Sequence, residues 1–198
     1  ETTTYLDSVV TGSTLSTYQS SILNADTIFL IDKAYKLGNS SPLNAFAKFD
    51  GVNKDPNYLS PNLEIARYDN KGNPFEARDE SGITIIYLWS YNSQYPVAKI
   101  LGSDYVTVSG IVSQHTVDAA TSNEAQMRSV LNALRVGLPN AQVWTYTYAP
   151  LIGMTSETDL NGRTTYYEYD PFNRLKTIRD QDGKVIKTID YQYQKPNN

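Results

Sequence analysis

The chain has 198 residues and a formal charge of −4 at pH 7, which suits one hydrophobic core and gives no reason to expect a nucleic-acid partner. It has no cysteine, which excludes disulfides, zinc–cysteine sites and thiol catalysis. No apolar stretch reaches the roughly 18 residues that a membrane-spanning helix needs, so we predict no membrane span. Sixteen tyrosines and abundant serine and threonine indicate a mainly β protein.

The N-terminal part is predicted to be a series of strands separated by glycine- and proline-rich breaks. In the third strand, residues 28–31 are apolar at every position, which is typical of a strand covered on both faces. Gly12 and Ser13 are expected to separate the first strand from the second. The predicted strands of this part are residues 2–10, 15–23, 27–37, 44–49 and 63–68.

Residues 104–137 are predicted to form a helical insertion between strands. Thr121 and Glu124 have the spacing of a capping box, and Gly137 is expected to end the helix that follows. The first part of the insertion, residues 104–114, suits either a helical turn or a strand. The main helix is predicted from an apolar stripe at helical spacing, formed by Met127, Val130, Leu131 and Leu134.

A frame of three residues, Tyr, Asp at plus 11 and Gly at plus 14, recurs along the chain. The Gly is expected to permit a tight primed hairpin turn, as at Asp182–Gly183, where both central residues need positive φ. The Asp can accept hydrogen bonds from turn amides, and the Tyr can pack across neighbouring hairpins. These residues are predicted to define a structural repeat. They are Tyr68, Asp79 and Gly82; Tyr148, Asp159 and Gly162; and Tyr169, Asp180 and Gly183.

The C-terminal end has the clearest period-two alternation, which predicts a strand over residues 185–193. Together these elements predict a single domain, 1–198. Within it we expect an N-terminal β-hairpin part with the first repeat, 1–100, the helical insertion, 101–141, and two C-terminal repeats, 142–194.

Two segments of the chain resemble the YD repeat of the RHS family. Residues 68–73 are Tyr-Asp-Asn-Lys-Gly-Asn, and residues 169–175 are Tyr-Asp-Pro-Phe-Asn-Arg-Leu. The family repeat has the form Tyr-Asp-x-x-Gly-Arg-Leu, followed by an Asp-x-x-Gly turn and a further Tyr-x-Tyr-Asp. Residues 87–98 and 145–193 are also similar to the C-terminal region of RHS-repeat proteins of gut Bacteroidetes.

The resemblance implies a large secreted or cell-surface protein whose repeats form an antiparallel hairpin-repeat sheet. In some relatives the sheet closes into a shell around a toxin. About three repeats are too few for such a shell, so we expect a terminal part of a longer RHS-like polypeptide, with the remainder of that polypeptide as its partner. The chain begins at Glu1 rather than Met, which is also what a processed or excised fragment would show.

The candidates for catalysis and metal binding have structural explanations. His115 is the only histidine and lacks a Gly-x-Ser-x-Gly elbow, so a structural or solvated role is expected. Residues 159–162 and 180–183 match part of a calcium loop but lack its later ligands. We therefore predict no enzyme, metal or cofactor, with a small glycoside hydrolase or a toxin-associated fragment as lesser alternatives. A hydrolase would draw on the carboxylates Asp79, Glu80, Glu157, Asp159, Glu168, Asp180 and Asp182.

Aromatic residues near the C-terminal repeats are candidates for stacking on sugar rings. They are Trp144, Tyr146 and Tyr166, and strand alternation is expected to place Tyr167 and Tyr169 on the face opposite Tyr166. Cross-strand packing is the simpler explanation of these rings. The function predicted is thus a non-enzymatic extracellular or cell-surface scaffold. The alternative is a module that recognises carbohydrate or protein through exposed aromatics.

Overall fold

Strands dominate the computed structural model, which describes residues 1–6, 8–23 and 25–192. Within these described residues, twelve antiparallel strands form one open sheet, and their order in the sheet is their order along the chain. Three helices lie between the seventh and eighth strands, so the prediction of a mainly β chain with a helical insertion is confirmed. The strands are β1 (Thr2–Leu6), β2 (Val9–Leu23), β3 (Asp26–Lys36), β4 (Leu63–Tyr68), β5 (Pro74–Asp79), β6 (Thr84–Ser90), β7 (Tyr95–Leu101), β8 (Gln142–Ala149), β9 (Gly153–Thr158), β10 (Thr164–Tyr169), β11 (Leu175–Arg179) and β12 (Val185–Thr188). The helices are α1 (Tyr105–Ile111), α2 (Gln114–Ala119) and α3 (Glu124–Gly137).

The chain divides into two compact units, Glu1–Ile86 and Tyr87–Asn198, and the boundary lies inside β6. The predicted parts, 1–100, 101–141 and 142–194, were defined by the position of the helical insertion. This division stays a prediction.

The core of the first unit forms around Tyr58, in the irregular segment between β3 and β4. Its side chain is fully buried, and its hydroxyl lies 2.5 Å from Ser13 Oγ. The nearby Asp55 carboxylate is buried and accepts the backbone N–H of Ala47 at 2.7 Å, which holds the segment in place. The apolar residues of this core are Val10, Leu15 and Leu37, with Tyr35, Leu43, Phe46 and Phe49 packed against them.

The prediction of a strand over residues 44–49 is wrong. The structure describes this segment in full, and it contains no strand. Phe46 packs edge-to-face on Tyr58, with ring centroids 6.0 Å apart. Because the Ala47 amide bonds to the Asp55 side chain, it is not available to a strand ladder. Packing on the Tyr58 core therefore replaces strand pairing here.

The first two strands also differ from the prediction. The first strand ends at Leu6, and Gly12 and Ser13 lie inside β2 rather than between strands. Ser13 pairs with Thr3 in the β1–β2 ladder, and a register shift falls between Thr4 and Tyr5. A glycine is tolerated in an edge hairpin where such an irregularity occurs.

The prediction that residues 28–31 are covered on both faces is also wrong. Phe29 is 71% exposed and Ile31 is 40% exposed, whereas Ile28 and Leu30 are half-buried. Ile31 pairs with Tyr18, which is 61% exposed on the same face. One face of the β2–β3 hairpin is therefore apolar and open.

Helix α3 confirms the predicted apolar stripe, with its start shifted by cap chemistry. Met127, Leu131 and Leu134 are fully buried and α3 packs against β8. The N-cap is Asn123, whose Oδ1 accepts the Gln126 N–H at 3.0 Å, so the predicted capping box does not form. Such a cap supplies an acceptor to one of the free amides of the first turn.

The other caps of the helical segment explain its short elements. Thr121, predicted as a cap, instead donates its hydroxyl to Asp118 O at 2.9 Å after the end of α2. Asp104 and Ser113 cap α1 and α2, so residues 105–111 are helical, whereas Val112 and Ser113 between the two helices are extended. Helix α3 ends at Gly137, as predicted, and a Cβ at that position would lie 2.8 Å from Ile111 Cδ1 of α1.

The predicted C-terminal strand is shorter than the alternation suggested. Only Val185–Thr188 is a strand, and all of its residues are exposed. Beyond it, the Ile189 N–H still donates to Lys176 O at 2.8 Å. Tyr193, the last residue of the predicted alternation, lies outside the described residues.

Candidate functional site

Hairpin turns of one geometry recur along the chain, each organised by an aspartate. In every case Oδ1 accepts the backbone N–H of the second and fourth following residues, at 2.8 to 3.0 Å. The third following residue is Gly or Asn, with φ between 60° and 84°. We call these the Asp turns; their aspartates are Asp69, Asp79, Asp159, Asp170 and Asp180.

The Asp turns correct the predicted turn type. At Asp182–Gly183 only the glycine has positive φ, 79°, so the turn is not a primed turn. A hairpin in which one left-handed residue follows the turn needs only that residue to be Gly or Asn. Asn173 fills this place after Asp170, with φ of 60°.

The turn carboxylates are occupied by donors from their own loops. Asp159 Oδ2 binds the Arg163 guanidinium at 3.0 Å, and Asp170 Oδ2 binds that of Arg174 at 2.6 Å. The backbone N–H of Arg163 is the main cause that lowers the pKa of Asp159 below its ordinary value, and the Arg174 side chain is the main cause that lowers the pKa of Asp170. In the described part of the chain no group of three or more His, Cys, Asp or Glu residues could hold a metal ion.

The tyrosines of the repeat frame form hydrogen bonds between neighbouring strands. Tyr68, Tyr148 and Tyr169 each donate their hydroxyl to a backbone carbonyl of the preceding strand. The acceptors are Ile31 O at 2.5 Å, Pro96 O at 3.1 Å and Met154 O at 2.9 Å. Tyr191, which lies outside the frame and beyond the end of β12, donates its hydroxyl to Leu175 O of β11 at 2.9 Å. These tyrosine bridges tie neighbouring strands together in addition to the ladder bonds.

Tyr148 lies in a cluster of rings that explains its burial. It stacks on Tyr95, with centroids 4.7 Å apart, and meets Tyr91 edge-to-face at 6.0 Å. The Tyr148 N–H donates to the Tyr91 hydroxyl at 3.2 Å. Burial raises the pKa of Tyr148 to about 12. Its hydroxyl is therefore a structural donor and is not poised for proton transfer near neutral pH.

Two of the predicted stacking residues lie on one face of the second unit. Trp144 pairs with Lys99, and Tyr146 pairs with Glu157, so all four side chains point to the same side of the sheet. Lys99 Nζ lies 5.5 Å from the Trp144 ring centroid. Tyr167 lies on this side as well, and its hydroxyl donates to Glu157 Oε2 at 3.4 Å.

We call these five half-buried residues the aromatic face. Rings flanked by an ammonium and a carboxylate can stack on an apolar sugar face and bond to its hydroxyls. Lys99 could not be found from sequence, because it belongs to the face only through the β7–β8 register.

Tyr166, the third predicted stacking residue, lies apart from the other two. It pairs with Ser156, on the opposite side of the sheet from Tyr167, as alternation predicted. The Arg128 guanidinium lies 5.4 Å from its ring centroid. The structure therefore brings Trp144 and Tyr146 together and separates Tyr166 from them.

The carboxylates proposed for a hydrolase partly converge. Asp159, Asp180 and Asp182 line one shallow cavity of about 360 Å³ together with Arg163. A glycosidase acid needs a raised pKa, whereas the pKa of Asp159 is lowered. Glu168 lies elsewhere and pairs with Arg179 at 2.8 Å.

His115 is exposed on α2, and a nucleophilic serine to pair with it would have to come from elsewhere than the helix start, where Ser113 is used as a cap. The neighbouring Ser113 serves as the N-cap, and its Oγ accepts the Thr116 N–H at 3.2 Å. Its hydroxyl also bonds with the Thr116 hydroxyl at 2.8 Å, so its polar contacts are local to the helix start. The sequence prediction of a solvated histidine agrees with this exposure.

Comparison of the chain with protein-family models finds no match, and comparison with curated proteins finds none either. Among the described residues, no helix is both long and apolar enough to cross a membrane.

Proposed function

We propose that this chain is a non-enzymatic scaffold module of the RHS/YD-repeat type, the terminal part of a longer extracellular or cell-surface polypeptide. The observation that carries the proposal is the recurrence of one Asp turn in a sheet whose strands pair in chain order. Each such hairpin adds a strand beside the previous one, which is how an extended repeat sheet grows.

The use of the repeated side chains supports a structural role. The repeat aspartates accept turn amides, and the frame tyrosines donate to backbone carbonyls. Groups committed to the backbone in this way are poor candidates for substrate chemistry, which needs a free base or nucleophile. The remainder of the longer polypeptide is the expected partner.

The aromatic face favours a second candidate function, recognition of a surface glycan or protein. Lys99, Trp144 and Glu157 place a cation, a ring and an acceptor side by side on one face. This combination occurs at sugar-binding sites, although cross-strand packing alone also accounts for it.

A binding and turnover assay distinguishes these functions. The purified chain would be tested on a glycan array, on a cell-surface extract and on a panel of chromogenic glycosides. The scaffold proposal predicts no turnover and no saturable binding that depends on Trp144 of the aromatic face. Binding that is lost in Trp144→Ala, but kept in a control variant at the exposed Tyr18, Tyr18→Ala, would replace the scaffold with a recognition module. Turnover would contradict both.

A further inference from the structure

A polar cavity of about 290 Å³ lies in the second unit between α3 and strands β8 to β10, on the side of the sheet opposite the aromatic face. Its volume is near the lower end of ordinary ligand pockets, which begin at about 300 Å³. Its lining includes Arg128, Asn132, Arg135, Thr145, Thr158 and Thr164. We call this cavity the α3 pocket.

The lining of the α3 pocket is cationic. Arg128 and Arg135 both line it, and no residue of the lining has a carboxylate. Arg128 pairs with Glu124 at 3.3 Å, a partner that lies outside the lining. Because the lining residues include no negative charge, the pocket favours an anionic occupant.

Arg135 retains unused hydrogen-bond donors. Its Nη2 donates to Val143 O at 2.9 Å and to Asp159 O at 3.0 Å. Its Nε–H is buried without an acceptor, and within the described residues the guanidinium forms no ion pair. Burial lowers the pKa of this guanidinium, and the Asp159 charge opposes that effect only in part. A guanidinium in this condition is stabilised by an added oxyanion acceptor.

Threonine hydroxyls form the floor of the pocket. The sheet register aligns Thr145 of β8 with Thr158 of β9, and Thr158 with Thr164 of β10. The Thr158 and Thr164 hydroxyls lie 2.9 Å apart. Hydroxyls can turn to donate to a ligand oxygen, so the floor adds neutral donors to the two guanidinium groups.

We propose that the α3 pocket binds a small oxyanion, namely a sulfate, phosphate or carboxylate group. Two guanidinium groups over a row of hydroxyls match the oxygens of such a group. The group can come from two sources, a free inorganic ion or an acidic sugar. This site lies on the other side of the sheet from the aromatic face and does not depend on the scaffold proposal.

The test is titration calorimetry of the purified full chain, at constant ionic strength, against two groups of ligands. The first is sodium sulfate and sodium phosphate, with chloride as the reference salt. The second is glucuronate and a sulfated monosaccharide, with glucose as the neutral reference. Saturable binding in the first group assigns the site to free ions. Binding only in the second assigns it to acidic sugars. Equal binding of glucose, or no binding in either group, would overturn the proposal.

Matched variants locate the site. Arg128→Gln should weaken binding by about tenfold or more, because it removes charge-assisted bonds. Arg163→Gln removes the same charge from a largely exposed arginine outside the α3 pocket lining and should bind like the original chain. Unchanged affinity in Arg128→Gln would overturn the assignment.

A second pair of variants leaves the arginines intact. Asn132 is exposed on α3, so its replacement should not disturb folding. Asn132→Asp places a carboxylate in the lining and should abolish binding, whereas Asn132→Ala should keep it within about threefold. Equal affinities of these two variants would contradict an anion site in the pocket.

Discussion

At the scale of single residues, hydrogen bonds from side chains to the backbone explain why Asp and Tyr recur in the repeat. Tyr169 reaches Met154 O at 2.9 Å only because Gly153 leaves room for its ring. A Cβ at position 153 would collide with the Tyr169 hydroxyl. The glycine is therefore favoured both by the close approach of the Tyr169 side chain and by its own φ of 158°.

We expect Gly153→Ala to lower the free energy of unfolding by about 1–3 kcal/mol, because the added methyl displaces the Tyr169 ring. Urea denaturation of Gly153→Ala, Tyr169→Leu and the double variant would measure this loss of stability. The smaller side chain at position 169 should relieve the part of the glycine effect that comes from this collision, giving a coupling between the two sites. Strictly additive effects would show that the two residues do not interact.

The buried tyrosines predict a loss of stability at alkaline pH. Burial raises the pKa of Tyr148 to about 12 and also raises the pKa of Tyr91 and Tyr146, against an ordinary value of 10.0. Below pH 10 these tyrosine hydroxyls are protonated in both the folded and the unfolded chain, so their contribution to stability is fully present. Between about pH 10 and 12 these tyrosines lose their protons in the unfolded chain before they do so in the folded chain. The free energy of unfolding therefore falls as the pH rises.

Urea midpoints measured from pH 8 to 12 would check this prediction, with Tyr148→Phe as the comparison. The variant is expected to be less stable at pH 8 but to have a shallower alkaline slope. A midpoint that stays constant through pH 11 in the original chain would contradict the burial of these hydroxyls.

The sequence predicted the repeat residues but not all of their chemistry. The frame found Asp79, Asp159 and Asp180 because their spacing to Gly is constant. It missed the identical role of Asp69 and Asp170, which stand beside a tyrosine and complete their own turns. Hydrogen bonds from a side chain to the amides that follow it are a local property, so an Asp five residues before the returning strand was the available signal.

At the scale of secondary-structure elements, periodicity predicted the apolar face of α3 and failed for β3. Three positions of the α3 stripe are fully buried because a helix repeats every 3.6 residues and can bury only one side here. A short run of apolar residues in a strand does not say which face has a partner. Phe29 therefore remains exposed although the run suggested burial.

The packing of α3 predicts a large difference between two substitutions on the same helix. Leu131→Asp places a carboxylate in a fully buried site and should cost about 4 kcal/mol or more, which would unfold the second unit. Val136→Asp introduces the same charge at a residue that is 74% exposed and should change stability by less than about 1 kcal/mol. Circular dichroism melting would check both, and equal melting of the two variants would contradict the orientation of α3.

At the scale of the whole molecule, short turns explain much of the strand pairing in chain order, whereas β3–β4 and β7–β8 pair across long connections. The Asp turns leave only a few residues between β4 and β5, and between β10 and β11, so each strand must return beside the last. The mainly β class was predictable from such turn signals, and the helical insertion was predictable from its apolar stripe. The cross-strand registers that assemble the aromatic face and the α3 pocket were not, because register depends on bulges such as that between Thr147 and Tyr148.

Residue-resolved hydrogen exchange of the Asp170→Ala chain tests the central claim most directly, with Asp170→Asn as the control that keeps an acceptor oxygen. The claim is that each repeat is a structural unit held by its own Asp turn. We predict that protection falls in β10 and β11 of Asp170→Ala, that it falls less in Asp170→Asn, and that it is unchanged in the β4–β5 hairpin. Unchanged protection of β10 and β11, or an equal loss in both hairpins, would contradict the claim.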